Sequence, residues 1–258
     1  MVRARKRFGQ HFLHDPAVLE RIAAAVAPAA AELVVEIGPG TGALTRHLLQ
    51  RLPQLHAVEI DRDLAAQLRT TWGERLVLHE GDALDFDFAA LAQSAGRPLR
   101  IVGNLPYNIS TPLLFHLLEA ADHLVDLHVM LQREVIDRMA AAPGSDDYGR
   151  LTVMLSPRFV ITKLFDVGPG AFRPPPRVWS AVARLDVLRQ PRFDLPPGFA
   201  ALVAAAFAQR RKTLRNSLRG LLSDTAWADS GIDPAARPET LAPEQFARLA
   251  ALAHEQRL

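Results

Sequence analysis

The sequence predicts an α/β fold: a doubly wound, mostly parallel sheet over residues 1–188, then a small all-helical domain over residues 189–258. Three observations carry this. Short apolar runs alternate with helically patterned segments from residue 33 to residue 141. A glycine-rich turn, Gly38-Pro39-Gly40-Thr41-Gly42, joins the first run to the helix after it. A proline-rich break, from Arg189-Gln190-Pro191 to Pro196-Pro197-Gly198, precedes segments that are helical only.

Asp15 is a natural N-cap for a helix over 15–27, with Pro16 in its first turn and Val18, Leu19, Ile22 and Val26 on one face. Leu33 to Ile37 reads as a buried strand, 43–52 as a helix, Leu55 to Ile60 as a strand and 62–71 as a helix. Leu76 to His79 and Arg100 to Gly103 follow as strands, then a helix from about Thr111, a fifth strand over 125–131 and a helix over 133–141. Residues 151–167 and 178–188 read as two more strands, joined by the loop Gly168 to Pro176 and antiparallel at the sheet edge. Helices are expected from Phe199 to about Leu222 and from about Pro243 to Glu255.

At about 100–200 residues per domain, 258 residues allow one large and one small domain, with enough chain for a core that needs no staples. Cysteine is absent, which excludes disulfide scaffolds, thiolate metal sites and cysteine nucleophiles, and fits a reducing cytoplasm. No apolar run approaches the ~20 residues of a membrane span, and the basic N-terminus lacks a signal-peptide apolar region. The expectation is a soluble, cytoplasmic, unprocessed chain. The nine His residues are scattered without ligand spacing, so no metal is expected.

Charge is segregated. Residues 32–95 hold five basic and ten acidic residues, whereas Arg3, Arg5, Lys6 and Arg7 form a cluster without an acid. Arg210, Arg211, Lys212, Arg215 and Arg219 form a second. The pattern suits a polyanion held away from an acidic region.

Glycines in the first turn let the backbone approach a ligand, and the N–H groups at the following helix start favour a polar or anionic group. Glu59 ends the second strand, where a carboxylate can accept hydrogen bonds from both hydroxyls of a ribose. A nucleoside-containing cofactor follows. The glycine spacing also satisfies a dinucleotide template, so a dehydrogenase stays open at this point. Glu36 favours S-adenosylmethionine, whose sulfonium and ammonium suit a nearby carboxylate that a pyrophosphate would not. Asp82, after the third strand, is placed to bond an adenine amino group.

Asn104-Leu105-Pro106-Tyr107 follows the fourth strand, where open parallel sheets place reactive groups. An adenine amine is a weak nucleophile because its lone pair is delocalised. The Asn104 amide oxygen and the Leu105 carbonyl can accept its two N–H bonds, Pro106 stiffens the loop, and Tyr107 offers a face for stacking a base taken out of its own stack.

Together with Arg5-Lys6-Arg7-Phe8-Gly9-Gln10-His11-Phe12-Leu13, Tyr148-Gly149-Arg150-Leu151, Phe172-Arg173-Pro174-Pro175-Pro176-Arg177-Val178 and Gln209 to Leu218, these motifs run in order along nearly the whole chain. The sequence closely resembles the ribosomal RNA adenine N6-dimethyltransferase family, small-subunit type. The resemblance implies a class I S-adenosylmethionine-dependent methyltransferase fold, Rossmann-like. It also implies dimethylation of two adjacent adenosines in a hairpin loop near the 3′ end of 16S rRNA, with S-adenosylhomocysteine as by-product.

It further implies cofactor contacts at His11, Leu13, Gly38, Glu59, Asp82 and Asn104, beside Glu36 and Gly40 read from the loop. Phe172 is implied as a second stacking residue opposite Tyr107. The partner would be the immature 30S particle, bound by a monomer. Arg211, Arg215 and Arg219 recur every four residues, with Lys212 beside them and Phe207, Leu214, Leu218 and Leu221 on the adjoining face. On one helix that gives a basic stripe for phosphates, joined by Arg210 and by Arg5, Lys6 and Arg7. A large-subunit rRNA methyltransferase and a mainly ribosome-assembly factor are the competing functions.

Overall fold

The computed structural model describes residues 10–209 and 211–256. Seven strands form the main sheet: β1 Leu33–Ile37, β2 Leu55–Glu59, β3 Leu76–Glu80, β4 Leu99–Asn104, β5 Leu124–Gln132, β6 Phe159–Val167 and β7 Ser180–Val187. Their order is β3-β2-β1-β4-β5-β7-β6. The pairs from β3 through β5 are parallel, and β7 runs antiparallel to β5 with Asp126 opposite Asp186 and Gln132 opposite Ser180. All five residues of β1 are buried, as a central parallel strand with both faces covered requires. The order reverses at β1, so a crevice opens past the carboxyl ends of β1 and β4.

The first helices are α1 Pro16–Val26, α2 Ala43–Leu48, α3 Arg62–Trp72, α4 Phe88–Ala95, α5 Ser110–Glu119 and α6 Arg133–Met139. Asp15 caps α1 by accepting from the N–H groups of Ala17 and Val18. A two-residue strand, Phe12–Leu13, pairs antiparallel with Phe172–Arg173 and ties the chain before α1 to the segment before β7.

Two compact units are present. One comprises Met1–Ile136 with Ile161–Val187, the other Asp137–Val160 with Leu188–Leu258. The expected division into 1–188 and 189–258 therefore needs correction, because residues 137–160 belong with the helical unit. The expected strand over 151–167 begins with a helix instead, α7 Arg150–Leu155. The run Leu151-Thr152-Val153-Met154-Leu155 fits either period, and a Thr152 side-chain oxygen accepting from the Gly149 N–H settles the start of a turn. Tyr148 and Val153 enter the core of the second unit with Phe199, Val203, Leu214, Leu218, Phe246 and Leu249. The Tyr148 hydroxyl donates to the Leu241 carbonyl at 2.7 Å.

The expected helix from Phe199 to Leu222 is two helices, α8 Phe199–Ala206 and α9 Leu214–Ser217. The N–H groups of Leu214 and Arg215 donate to the carbonyls of Ala236 and Pro234, which is possible only at a fresh helix start. The remaining helices are α10 Asp224–Ser230 and α11 Pro243–Glu255.

Candidate active site

The crevice at the β1/β4 reversal is a cavity of about 330 Å³, at the small end of the range for ligand sites. The turn after β1 and the loop after β4 bring Glu36, Gly38, Gly40, Asn104, Leu105, Pro106 and Tyr107 to its wall. β2 and the loop after β3 add Glu59 and Asp82, and the segment before α1 adds His11 and Leu13. Five separate stretches of chain, from His11 to Tyr107, thus line one space.

Two glycines set its shape. Gly40 has φ +59°, and a Cβ there would lie 3.1 Å from the Phe12 ring. Gly103 lets β4 close on β1, since a Cβ would sit 2.5 Å from the Ile37 carbonyl oxygen.

The acids differ in their surroundings. Glu36 is buried, and burial pushes its carboxyl up to about 7 despite a 2.6 Å hydrogen bond donated by the Thr45 hydroxyl, with the Glu59 charge adding to the rise. Burial also raises Glu59, against the N–H groups of Asp61 and Gly40, which donate to it at 2.9 and 3.0 Å. Backbone N–H groups thus hold both carboxylate oxygens, Asp61 donating to Oε1 and Gly40 to Oε2, and the Ile60 N–H lowers the group as well. One Asp82 oxygen accepts from the Leu84 N–H at 3.0 Å, closing a turn.

A buried carboxylate pair on a mostly apolar cavity is the donor set a cationic nucleoside fits. Glu36 suits a sulfonium or ammonium, Glu59 ribose hydroxyls, and the Gly38–Gly42 backbone a close approach. A pyrophosphate does not fit beside Glu36.

The Asn104 amide nitrogen donates to the His11 carbonyl at 2.9 Å, leaving the amide oxygen as an acceptor. Leu105 is buried, and its N–H donates to the Met130 carbonyl. The Tyr107 hydroxyl lies 2.6 Å from Ser180 Oγ, and burial raises its pKa. Neither Ser180 nor Thr45 stands out in the sequence: Ser180 acts through a partner 73 positions away, and Thr45 through Glu36 on the other side of the glycine turn.

Two expected groupings are not formed. Phe172 is 2% exposed, packs in the core with Leu13, Ala171 and Val182, and does not line the cavity. Its backbone pairs with Leu13, which turns its ring inward. The ring that meets Tyr107 is that of His11, stacked at 5.6 Å and 27°. The single basic stripe is not formed either. Arg211 and Lys212 lie ahead of α9 and Arg219 after it, all exposed, while Arg215 pairs with Asp224 at 3.2 Å. Arg5, Lys6, Arg7 and Arg210 lie outside the described residues. Among the described residues, no group of three or more His, Asp or Glu is placed to hold a metal ion.

Comparison with known proteins agrees over the whole length. The family model for "Ribosomal RNA adenine dimethylase" matches residues 1–255. "Ribosomal RNA small subunit methyltransferase A" of Laribacter hongkongensis is 58% identical over 95% of this chain and 94% of its own. The protein of the same name from Thiobacillus denitrificans is 58% identical over 92% of each.

Among solved structures, the 23S rRNA methyltransferase ErmE is 28% identical with a TM-score of 0.69, over 93% of this chain and 99% of that one. A dimethyladenosine transferase from Plasmodium falciparum shares the fold at a TM-score of 0.78 and 24% identity, over 96% of this chain and 99% of that one. With the family model covering all but the last three residues, this chain belongs to the ribosomal RNA adenine dimethylase family.

Proposed function

We propose that the chain transfers methyl groups from S-adenosylmethionine to the N6 amines of two adjacent adenosines near the 3′ end of small-subunit (16S) rRNA. The products are N6,N6-dimethyladenosines and S-adenosylhomocysteine. The observation that carries the reading is the position of Asn104-Leu105-Pro106-Tyr107 at the carboxyl end of β4, on the same cavity as Glu36, Gly38 and Glu59. When bound, S-adenosylmethionine supplies an electrophilic methyl on a cationic sulfur.

The chain's residues do the rest. Glu36 and Glu59 hold the cationic and ribose ends, and Asp82 holds the adenine amine through its second oxygen. His11 and Leu13 close the wall. Asn104 Oδ1 and the Leu105 carbonyl accept the N–H bonds of the target amine, two before the first transfer and one before the second, which favours pyramidal nitrogen without a strong base. Each methylated amine gives up its surplus proton to solvent. Pro106 stiffens the loop, and the Tyr107 ring supports the flipped base. His11 covers one side of Tyr107, so the base enters as that stack opens or beside it.

The partner is small-subunit rRNA in an immature 30S particle, met in the cytoplasm by a monomer that also serves late subunit biogenesis. The names of the relatives support the rRNA substrate. No described helix is long and apolar enough to cross a membrane.

Labelled S-adenosylmethionine with undermethylated small subunits tests the reading. Nucleoside analysis should return N6,N6-dimethyladenosine. Ring-methylated products alone, or label confined to large subunits, overturn it.

A further inference from the structure

Of the three tryptophans, Trp72 is half-buried, Trp227 is buried, and Trp179 is 50% exposed. A lone exposed apolar side chain is ordinary, but an indole that is both exposed and fixed presents a rigid stacking face. Trp179 is also held in place. Its carbonyl accepts from the Arg133 N–H at 2.9 Å, and its ring lies alongside Gly168, where a Cβ would come within 3.6 Å of it. The Arg133 guanidinium stands 6.0 Å from the ring centroid, at the limit of a cation–π contact.

Its position is on the working rim. Ser180 pairs with Gln132 at the carboxyl end of β5, one strand across from the Asn104 loop at a spacing of about 5 Å. Ser180 bonds Tyr107, and Trp179 is the next residue. Side chains alternate along extended chain, so the indole is not a wall of the Tyr107 slot but faces a different part of the same rim.

The stretch of chain that carries it has charge of one sign. Between Asp166 and Asp186 the chain carries Arg173, Arg177 and Arg184 and no acid. Arg173 and Arg177 are exposed, as is Arg133, while Arg184 pairs with Asp186. An exposed, fixed aromatic face beside Arg133, on a segment that also carries exposed Arg173 and Arg177, is the composition of a single-stranded nucleic-acid platform: the ring stacks a base and the guanidiniums meet phosphate.

We propose that Trp179, flanked by Arg133 and Arg177, stacks an unpaired base of the substrate RNA next to the adenosine held at Tyr107. This rests on the rRNA reading above. A flipped target needs its neighbours restrained, and this platform restrains one while the loop after β4 works on the other.

The test uses the full chain with Trp179→Ala and Trp179→Phe. Readouts are kcat and KM on undermethylated small subunits, Kd for protein-free small-subunit rRNA, and S-adenosylmethionine affinity. Trp179→Ala should raise KM and Kd by about fivefold or more, the loss typical of one stacked base. The kcat and S-adenosylmethionine affinity should stay as they were, and Trp179→Phe should recover most of the loss. Indole fluorescence of the unaltered chain should be quenched by the rRNA, and this quenching should vanish in Trp179→Phe.

Unchanged KM and Kd in Trp179→Ala overturn the proposal while the unaltered enzyme still methylates. A loss seen with the particle but absent with protein-free rRNA also overturns it, since the partner is then a ribosomal protein. If the unaltered chain methylates no small subunit, the rRNA reading itself falls and this inference with it.

Discussion

Ser180 and Tyr107, 73 positions apart, meet through their hydroxyls at 2.6 Å, with Ser180 fully buried at the start of β7. The bond fixes the tilt of the Tyr107 ring from outside the loop after β4. β7 is thus more than an edge strand, because it anchors the base-binding loop.

Removing that anchor should loosen the ring without deleting it. Ser180→Ala is expected to lower kcat about fivefold, the equivalent of about 1 kcal/mol for one neutral buried hydrogen bond. S-adenosylmethionine affinity should hold. Tyr107→Phe should give a similar loss, and the double variant little more than either single. Full additivity in that cycle would mean that the two hydroxyls do not act together.

Asn104 has a divided side chain, its nitrogen committed to the His11 carbonyl and its oxygen left to the cavity. Asn104→Ala should therefore abolish turnover, by a factor of about a hundred or more as for other lost preorganised groups. RNA affinity should remain within about twofold, since phosphate contacts dominate it. Retained turnover would remove the amide oxygen from the chemistry.

Glu36 predicts opposite pH trends for ligand binding and folding. Its carboxyl is raised to about 7 by burial, so it is partly protonated near neutrality. A cationic ligand favours the ionised form. S-adenosylmethionine affinity should rise up to about tenfold per pH unit below 7 and level off above it, with proton release on binding. Folding behaves the other way. The native pKa exceeds the unfolded value of 4.5, so the native state holds the extra proton between the two. That contribution is fully present below about 4.5 and is lost as pH rises through about 7. Glu36→Gln should flatten both trends in calorimetry. Glu59, raised by the same burial, leaves a smaller residual slope.

The sequence carried the parts of the fold that depend on short range. Leu33 to Ile37 and Leu55 to Ile60 are buried runs bounded by turn residues, and they end within one residue of the observed strands. The cavity residues were legible because glycine, acid and Asn-Leu-Pro-Tyr each mark the carboxyl end of a strand. What was not legible depends on partners far along the chain. Leu151 to Leu155 fits a strand or a helix until the second-unit core selects the helix. Phe172 turns inward because its backbone pairs with Leu13. The arginine stripe breaks because Pro234 and Ala236 cap a new helix.

At the opposite end of β4, Arg100 forks both oxygens of Asp126 at 2.9 and 2.7 Å and reaches Glu32 at 2.6 Å. Burial alone would raise the Asp126 carboxyl. The His128 ring, 3.7 Å away, and the Arg100 fork outweigh it and hold the group at about 2. A depressed native pKa stabilises the fold above the unfolded value of 3.8, and that stability is lost as pH falls from about 4 through about 2. Arg100→Met strands a buried carboxylate and should cost about 3–5 kcal/mol at pH 7 by denaturant unfolding. Asp126→Asn should shrink the acid-induced loss between pH 4 and 2.

The basic residues near α9 act as separate contacts rather than one stripe, which changes what their removal should do. Arg211, Lys212 and Arg219 are exposed on turns, whereas Arg215 is already partnered by Asp224. Each free-standing cation that meets a phosphate releases about one counterion, so each contributes about one unit to the slope of log K against log salt. Arg211→Glu with Lys212→Glu should reduce that slope by about two and weaken rRNA binding at low salt. Arg215→Ala should shift the slope by less, because Asp224 already partly neutralises its charge. Filter binding across a salt series checks both. An equal effect from Arg215 would show that its pair with Asp224 opens on RNA. An unchanged slope in the double reversal would take this segment out of the interface.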